Sequence, residues 1–164
     1  AKVQETIPSK LLLIGDGPER RNMETLCRKL KLCDEIRFLG KQDAVEELLS
    51  LADLFLMPSA SESFGLAALE AMACEVPVVS TNVGGLPEVN IHGETGYLAD
   101  LGDVEAMANF AIDILKDDDT LARFRANALA QAKRFDIDII LPQYEAYYEQ
   151  VVRDAVYPVN EDLV

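Results

Sequence analysis

"SESFGLAALEAMACEVPVVST" (residues 61–81) contains the alternation on which the fold turns. Residues 64–74 carry a single charge, Glu70, among Phe, Gly, Leu, Ala, Met and Cys. A helix apolar on all sides reads as a buried helix. An unpaired carboxylate there is costly unless something hydrogen-bonds it. Two readings stay open for Glu70: a salt bridge or partial exposure, or acceptance of hydrogen bonds from ligand hydroxyls. The next run, "VPVVST" (76–81), is continuously apolar rather than alternating, as in a strand covered on both faces.

Outward from this stretch the same pairing recurs. "KLLLIG" (10–15), "IRFLG" (36–40) and "DLFLMP" (53–58) read as further covered strands, and a short strand near "TGYLA" (95–99) closes the sheet. Between them Met23, Leu26, Cys27 and Leu30 fall at helical spacing, as do Val45, Leu48 and Leu49. Val104, Met107, Ala108, Ala111, Ile112 and Leu115 make a longer amphipathic stripe. Strands alternating with helices predict an α/β fold: a Rossmann-like parallel sheet with helices on both faces. The remainder reads as helix. "DDDTLARFRANALAQAKRF" (117–135) starts acidic and ends basic, as the helix dipole favours, so its aspartates are a solvated helix start. A last helix carries Ile137, Ile140, Leu141, Tyr144, Tyr148, Val151, Val152 and Ala155 on one face, with Pro142 starting or kinking it. Neither a repeat nor a linker interrupts the sequence, so residues 1–164 read as one domain.

Composition narrows the partners. A net charge of −14 repels nucleic acid and anionic lipid. No apolar run approaches the roughly 18 residues of a membrane-spanning helix, and "AKVQETIPSK" (1–10) lacks the core of a secretory signal. Cys27, Cys33 and Cys74 are an odd number without metal-type clustering. They read as free thiols in a reducing cytoplasm. No clustered Asp, His or Cys set suggests a metal, and the lone His92 reads as a solvated loop residue.

Ligands of open parallel sheets bind beyond the carboxyl ends of the strands. There this chain gathers "GDGPER" (15–20), "GKQD" (40–43), "PSASESFG" (58–65) and "TNVGGLPE" (81–88). Gly15-Asp16-Gly17 is a partial dinucleotide fingerprint, with Arg20 where the third glycine belongs; a plain tight turn and a ligand contact stay equally open. Ser63-Phe64-Gly65-Leu66 places backbone N–H groups at the positive end of a helix dipole, a setting for phosphate. Glu62 and Glu70 would be repelled by phosphate, so they must address something else, and sugar hydroxyls fit. Nucleotide-sugar binding accounts for Glu62, Gly65 and Glu70 together.

"ESFGLAALE" (62–70) resembles the E-x7-E motif of the retaining glycosyltransferases of GT-B architecture, the group 1 family. The likeness extends to "LLLIGDGPE" (11–19), "IRFLG" (36–40), "ADLFLMPS" (52–59), "LEAMACEVPVVSTNVGGLPE" (69–88) and "GETGYL" (93–98). It implies that Glu62 contacts the donor sugar as the catalytic-centre carboxylate, and that Ser63, Phe64, Gly65 and Leu66 give N–H groups to the diphosphate. It further implies that Glu70 holds the ribose hydroxyls and Gly15 and Gly17 let the backbone pass near the phosphates. The Lys41-Gln42 loop would flank the uracil, while Gly84, Gly85 and Glu88 would shape a loop without ligand contact. The donor would be a UDP-sugar, with neither metal nor cofactor. "FLGKQDAVEELLSLADLFLMPS" (38–59), "ESFGLAALEAMA" (62–73) and "YEAYYEQ" (144–150) narrow the likeness to members that join N-acetylglucosamine from UDP-N-acetylglucosamine to L-malate, opening bacillithiol synthesis.

Two departures accompany the resemblance. Glu75 stands where the family has a glycine suited to a left-handed cap. The sequence also begins at what resembles the tail of the domain's first helix. The resemblance therefore implies a donor-binding domain without its first strand, the Arg and Lys that neutralise the leaving diphosphate, and the N-terminal acceptor domain. Such a fragment is expected to be inactive alone, and a second copy could lend it a strand. Two rival functions remain: a nucleotide-sugar epimerase on the same scaffold, and a non-catalytic nucleotide-sugar-binding module.

Overall fold

The computed structural model describes residues 1–155. Strands β1 (Leu11–Ile14), β2 (Ile36–Gly40), β3 (Phe55–Met57), β4 (Val78–Thr81) and β5 (Gly96–Ala99) occupy the predicted runs. Helices α1 (Arg20–Leu30), α2 (Val45–Leu49), α3 (Leu66–Ala73) and α4 (Leu86–Val89) connect them. Helices α5 (Val104–Leu115), α6 (Asp118–Ala132) and α7 (Ile137–Asp154) follow, with a 3₁₀ turn at Lys133–Phe135.

All pairing between these strands is parallel, but it forms two ladders, β1–β2 and β3–β4–β5, rather than the single predicted sheet. In a doubly wound sheet of order 3-2-1-4-5-6, these ladders correspond to 3-2 and 4-5-6. β1 and β3 each keep one edge without a strand partner among the described residues.

The core lies in the second ladder. β4 divides it: Val78 joins Ala68, Ala71, Met72, Leu86 and Ala128 on one face, and Val79 joins Ile114 and Phe124 on the other. Asp117 caps α6 by accepting from the Thr120 N–H at 2.8 Å, with Asp118 and Asp119 in the first turn, as the acidic start predicted. Glu75 takes φ +62°, the left-handed conformation expected where α3 ends.

Several expectations fail. β1 is not covered on both faces: Leu11, Leu12 and Ile14 are each exposed by more than a third. Its one free edge and the lack of packed helices explain this, since α1 buries Cys27 alone and leaves Met23, Leu26 and Leu30 in solvent. Cys27 and Cys33 form a disulfide rather than free thiols, because the turn after α1 brings their Cα atoms to 5.2 Å. The cysteines therefore do not argue for a reducing compartment. Of the two readings of Pro142, opening α7 fails, and the residue lies inside the helix. The helix starts at Ile137, capped by Asp136, and Pro142 withholds one N–H from its second turn. Along the apolar face of α7, Ile140 is half-buried while Ile137, Leu141, Tyr144, Tyr148, Val151 and Val152 are exposed.

Candidate functional site

Parallel pairing places the loops after neighbouring strands at the same end of each ladder. In the first ladder Gly15, at φ +116°, donates its N–H to the Gly40 carbonyl at 2.7 Å. Gly17 lies in the open turn ahead of α1, where a side chain would meet nothing within 4 Å. Lys41 and Gln42 follow β2 and are exposed, and Gln42 Nε2 donates to the Leu39 carbonyl at 2.7 Å. Glycine is thus demanded by conformation at Gly15 but not at Gly17. Arg20 pairs with Glu24 and lies 5.8 Å from the Phe38 ring centroid, so the residue replacing the third glycine is engaged within its own unit.

In the second ladder the loop after β3 leads into α3. Phe64 anchors it, edge-on to Phe135 with ring centroids 5.7 Å apart. Gly65 is buried at φ +102°, and a Cβ there would lie 2.7 Å from Leu86 Cδ2. The first i→i−4 bond of α3 runs from Leu69 N–H to the Gly65 carbonyl. The N–H groups of Leu66 and Ala67, ahead of it, therefore have no acceptor within the helix, and the dipole makes this end positive. Ser63 N–H is occupied: it donates to Glu62 Oε1 at 3.1 Å. An anion approaching that amide must displace the Glu62 carboxylate.

Glu70 departs from the buried-helix reading. Only Ala68, Ala71 and Met72 of α3 are buried, and Leu66, Ala67 and Glu70 face solvent together. No ion pair among the described residues involves Glu62 or Glu70. Glu70 has no salt bridge there and is exposed, which leaves its carboxylate open to hydroxyl donors. The site thus presents free amides at a positive helix end, with a carboxylate before it and another one turn along, available to hydroxyl donors. His92 is not merely solvated: its Nδ1 accepts from Leu98 N–H at 3.0 Å, and its ring meets Tyr97 and Phe110 edge-on.

Between the two groups of loops no hydrogen bond or ion pair runs from residues 15–42 to residues 58–70 among the described residues. Two open concavities lie elsewhere, one along α7 at Tyr148 and Val152 and one beside α1 and β2 at Arg20, Arg28 and Phe38.

Two residues escaped sequence reasoning. Thr81 donates to the Ser59 carbonyl at 2.6 Å. Asn90, fully buried, donates at 3.1 Å each to the carbonyls of Val78 and Tyr97 and to Ser80 Oγ, and accepts from Thr95. Their signal was polarity at the apolar positions of "VPVVST" and "LPEVN", since buried polar groups need partners.

Comparison with known proteins fits this architecture. The family model described as glycosyl transferases group 1 matches residues 1–131. N-acetyl-alpha-D-glucosaminyl L-malate synthase of Bacillus anthracis is 46% identical over 155 residues, covering 94% of this chain and 41% of the relative. The structure of Anabaena HepE in complex with UDP superposes with a TM-score of 0.84 at 29% identity, covering 91% of this chain and 43% of that one. Sucrose-phosphate synthase from Thermosynechococcus elongatus gives a TM-score of 0.81 at 33% identity, over 93% and 41% of the respective chains. The chain spans about two fifths of the length of these relatives. With parallel α/β topology and a matched family model over most of its length, the chain belongs to the group 1 glycosyltransferases.

Proposed function

We propose that this chain is the donor-binding part of a retaining glycosyltransferase that moves N-acetylglucosamine from UDP-N-acetylglucosamine to L-malate. The observation that carries the reading is the entry to α3: free N–H groups at its positive end, flanked by Glu62 and by an exposed Glu70 without an ion pair among the described residues. The donor diphosphate takes the amides of Ser63 to Leu66, with the Glu62 carboxylate swinging from Ser63 N–H toward the sugar hydroxyls. Glu70 accepts from the ribose hydroxyls. Gly15 and Gly17 border the phosphates, and Lys41 and Gln42 flank the uracil. Amides aimed at charge developing on the leaving diphosphate lower the barrier to its departure. The acceptor enters on the face the diphosphate leaves, which retains configuration.

Family membership, the 46% identical malate synthase and the UDP held by HepE support this reading. The acceptor site belongs to an N-terminal domain outside this sequence. Glu70→Gln in the full-length protein is expected to weaken UDP binding about tenfold or more, through loss of a charge-assisted hydrogen bond worth roughly 1.5–3 kcal/mol. Titration calorimetry showing unchanged UDP affinity in a folded variant overturns the ribose assignment.

A further inference from the structure

The backbone that displays Glu62 and the α3 amides is held by a second segment without a ligand role in the reading above, the turn after β4. At its start, Thr81 is 1% exposed and its hydroxyl donates to the Ser59 carbonyl at 2.6 Å. Three residues further along the turn, Gly84 and then Gly85 press directly on the display loop. A Cβ built on Gly84, which also sits at φ +53°, would lie 1.6 Å from the Glu62 carbonyl oxygen. One built on Gly85 would lie 2.6 Å from the Ser63 carbonyl oxygen and 2.8 Å from Phe64 Cα. No side chain fits at either position unless residues 62–64 move.

The turn itself is anchored at both ends. β4 lies between β3 and β5. On the far side, α4 is tied down by Asn90, whose amide bridges β4 and β5 through the Val78 and Tyr97 carbonyls. Leu86, fully buried at the start of α4, occupies the space beneath Gly65. A rigid turn therefore backs the display loop along Ser59 to Gly65.

We infer that Thr81, Gly84 and Gly85 are positioning residues that shape the 59–65 backbone for the donor, touching the loop and not the ligand. The inference rests on the donor-site reading above, but its mechanical part can be measured without ligand. In the full-length protein, Thr81→Val keeps shape and removes the donor, Thr81→Ser restores it, and Gly84→Ala forces Glu62 aside. Hydrogen exchange over residues 59–66 is expected to quicken in Thr81→Val and Gly84→Ala, and to return to the wild-type rate in Thr81→Ser. UDP affinity by calorimetry is expected to fall about fivefold or more in Thr81→Val and to stay within about twofold in Thr81→Ser. Unchanged exchange in Thr81→Val overturns the inference, as does quickened exchange with unchanged UDP affinity. If the wild-type protein binds no UDP, the donor-site reading falls, and exchange alone decides whether the turn holds the loop. Should Gly84→Ala not fold, the two Thr81 variants decide the matter.

Discussion

β4 and β1 are both short, apolar, parallel strands, yet Val78 and Val79 are fully buried while Leu11 and Leu12 are 38% and 40% exposed. β4 has a strand on each edge, α3 packed toward one face, and α5 and Phe124 on the other. β1 has a strand on one edge, and neither core cluster draws a residue from before Val45. Apolar character equips a strand for burial, but neighbours bury it. The candidate site straddles this divide: Gly15, Gly17, Lys41 and Gln42 belong to the thinly supported ladder, and Glu62 to Glu70 to the consolidated one.

The largest test compares side chains on the two sides. Phe124→Ala, from a fully buried ring, is expected to cost about 3–5 kcal/mol, enough to unfold a marginal domain. Leu12→Ala, from a side chain already in solvent by two fifths, should cost less than about 1.5 kcal/mol. Urea denaturation of both variants gives the ratio, and equal losses would abolish the contrast. Native-state hydrogen exchange extends it: amides of β1 and β2 should open at a lower free energy than those of β4.

A smaller effect reports on the consolidated half through pH. The Tyr97 hydroxyl, on β5, donates to Asp113 Oδ2 at 2.5 Å, and its ring stacks on Phe110. Burial, and then the hydrogen bond to Asp113, push its pKa up to about 12. The unfolded phenol ionises near pH 10. A folded-state pKa above the unfolded one means that stability is fully present below about pH 10 and is lost as pH rises toward 12. Asp113 works in the opposite direction. Hydrogen bonds from Lys116 and Tyr97 hold its carboxyl below the ordinary range, so its contribution is present above about pH 4 and lost on acidification. Absorbance titration at alkaline pH should show Tyr97 ionising late, and Asp113→Asn should bring that titration down.

The smallest effect sits at the join between α3 and β4. Glu75 at φ +62° adopts a conformation that glycine tolerates and other residues resist. Glu75→Gly is expected to stabilise the consolidated half by about 0.5–1 kcal/mol, the relief of strain being partly offset by the freer unfolded chain. A lowered thermal midpoint would show that Glu75 makes a compensating contact.

The amino-acid sequence alone determined the order of the five strands and of the helices other than α4, and the acidic cap of α6. These follow from backbone preference and local spacing, which act over a few residues. Tertiary structure decided the rest. It split the strands into two ladders, turned Glu70 and Leu66 to solvent, paired Cys27 with Cys33, and set Gly84 and Gly85 against the backbone of Glu62 to Phe64. Those outcomes depend on which surfaces meet. "KLLLIG" carries four large aliphatic side chains and "VPVVST" three, whether or not a strand and a helix arrive to cover them. The same holds for Thr81 and Asn90: a polar residue in an apolar run announces that it needs a partner, but only the folded chain supplies the Ser59 and Val78 carbonyls.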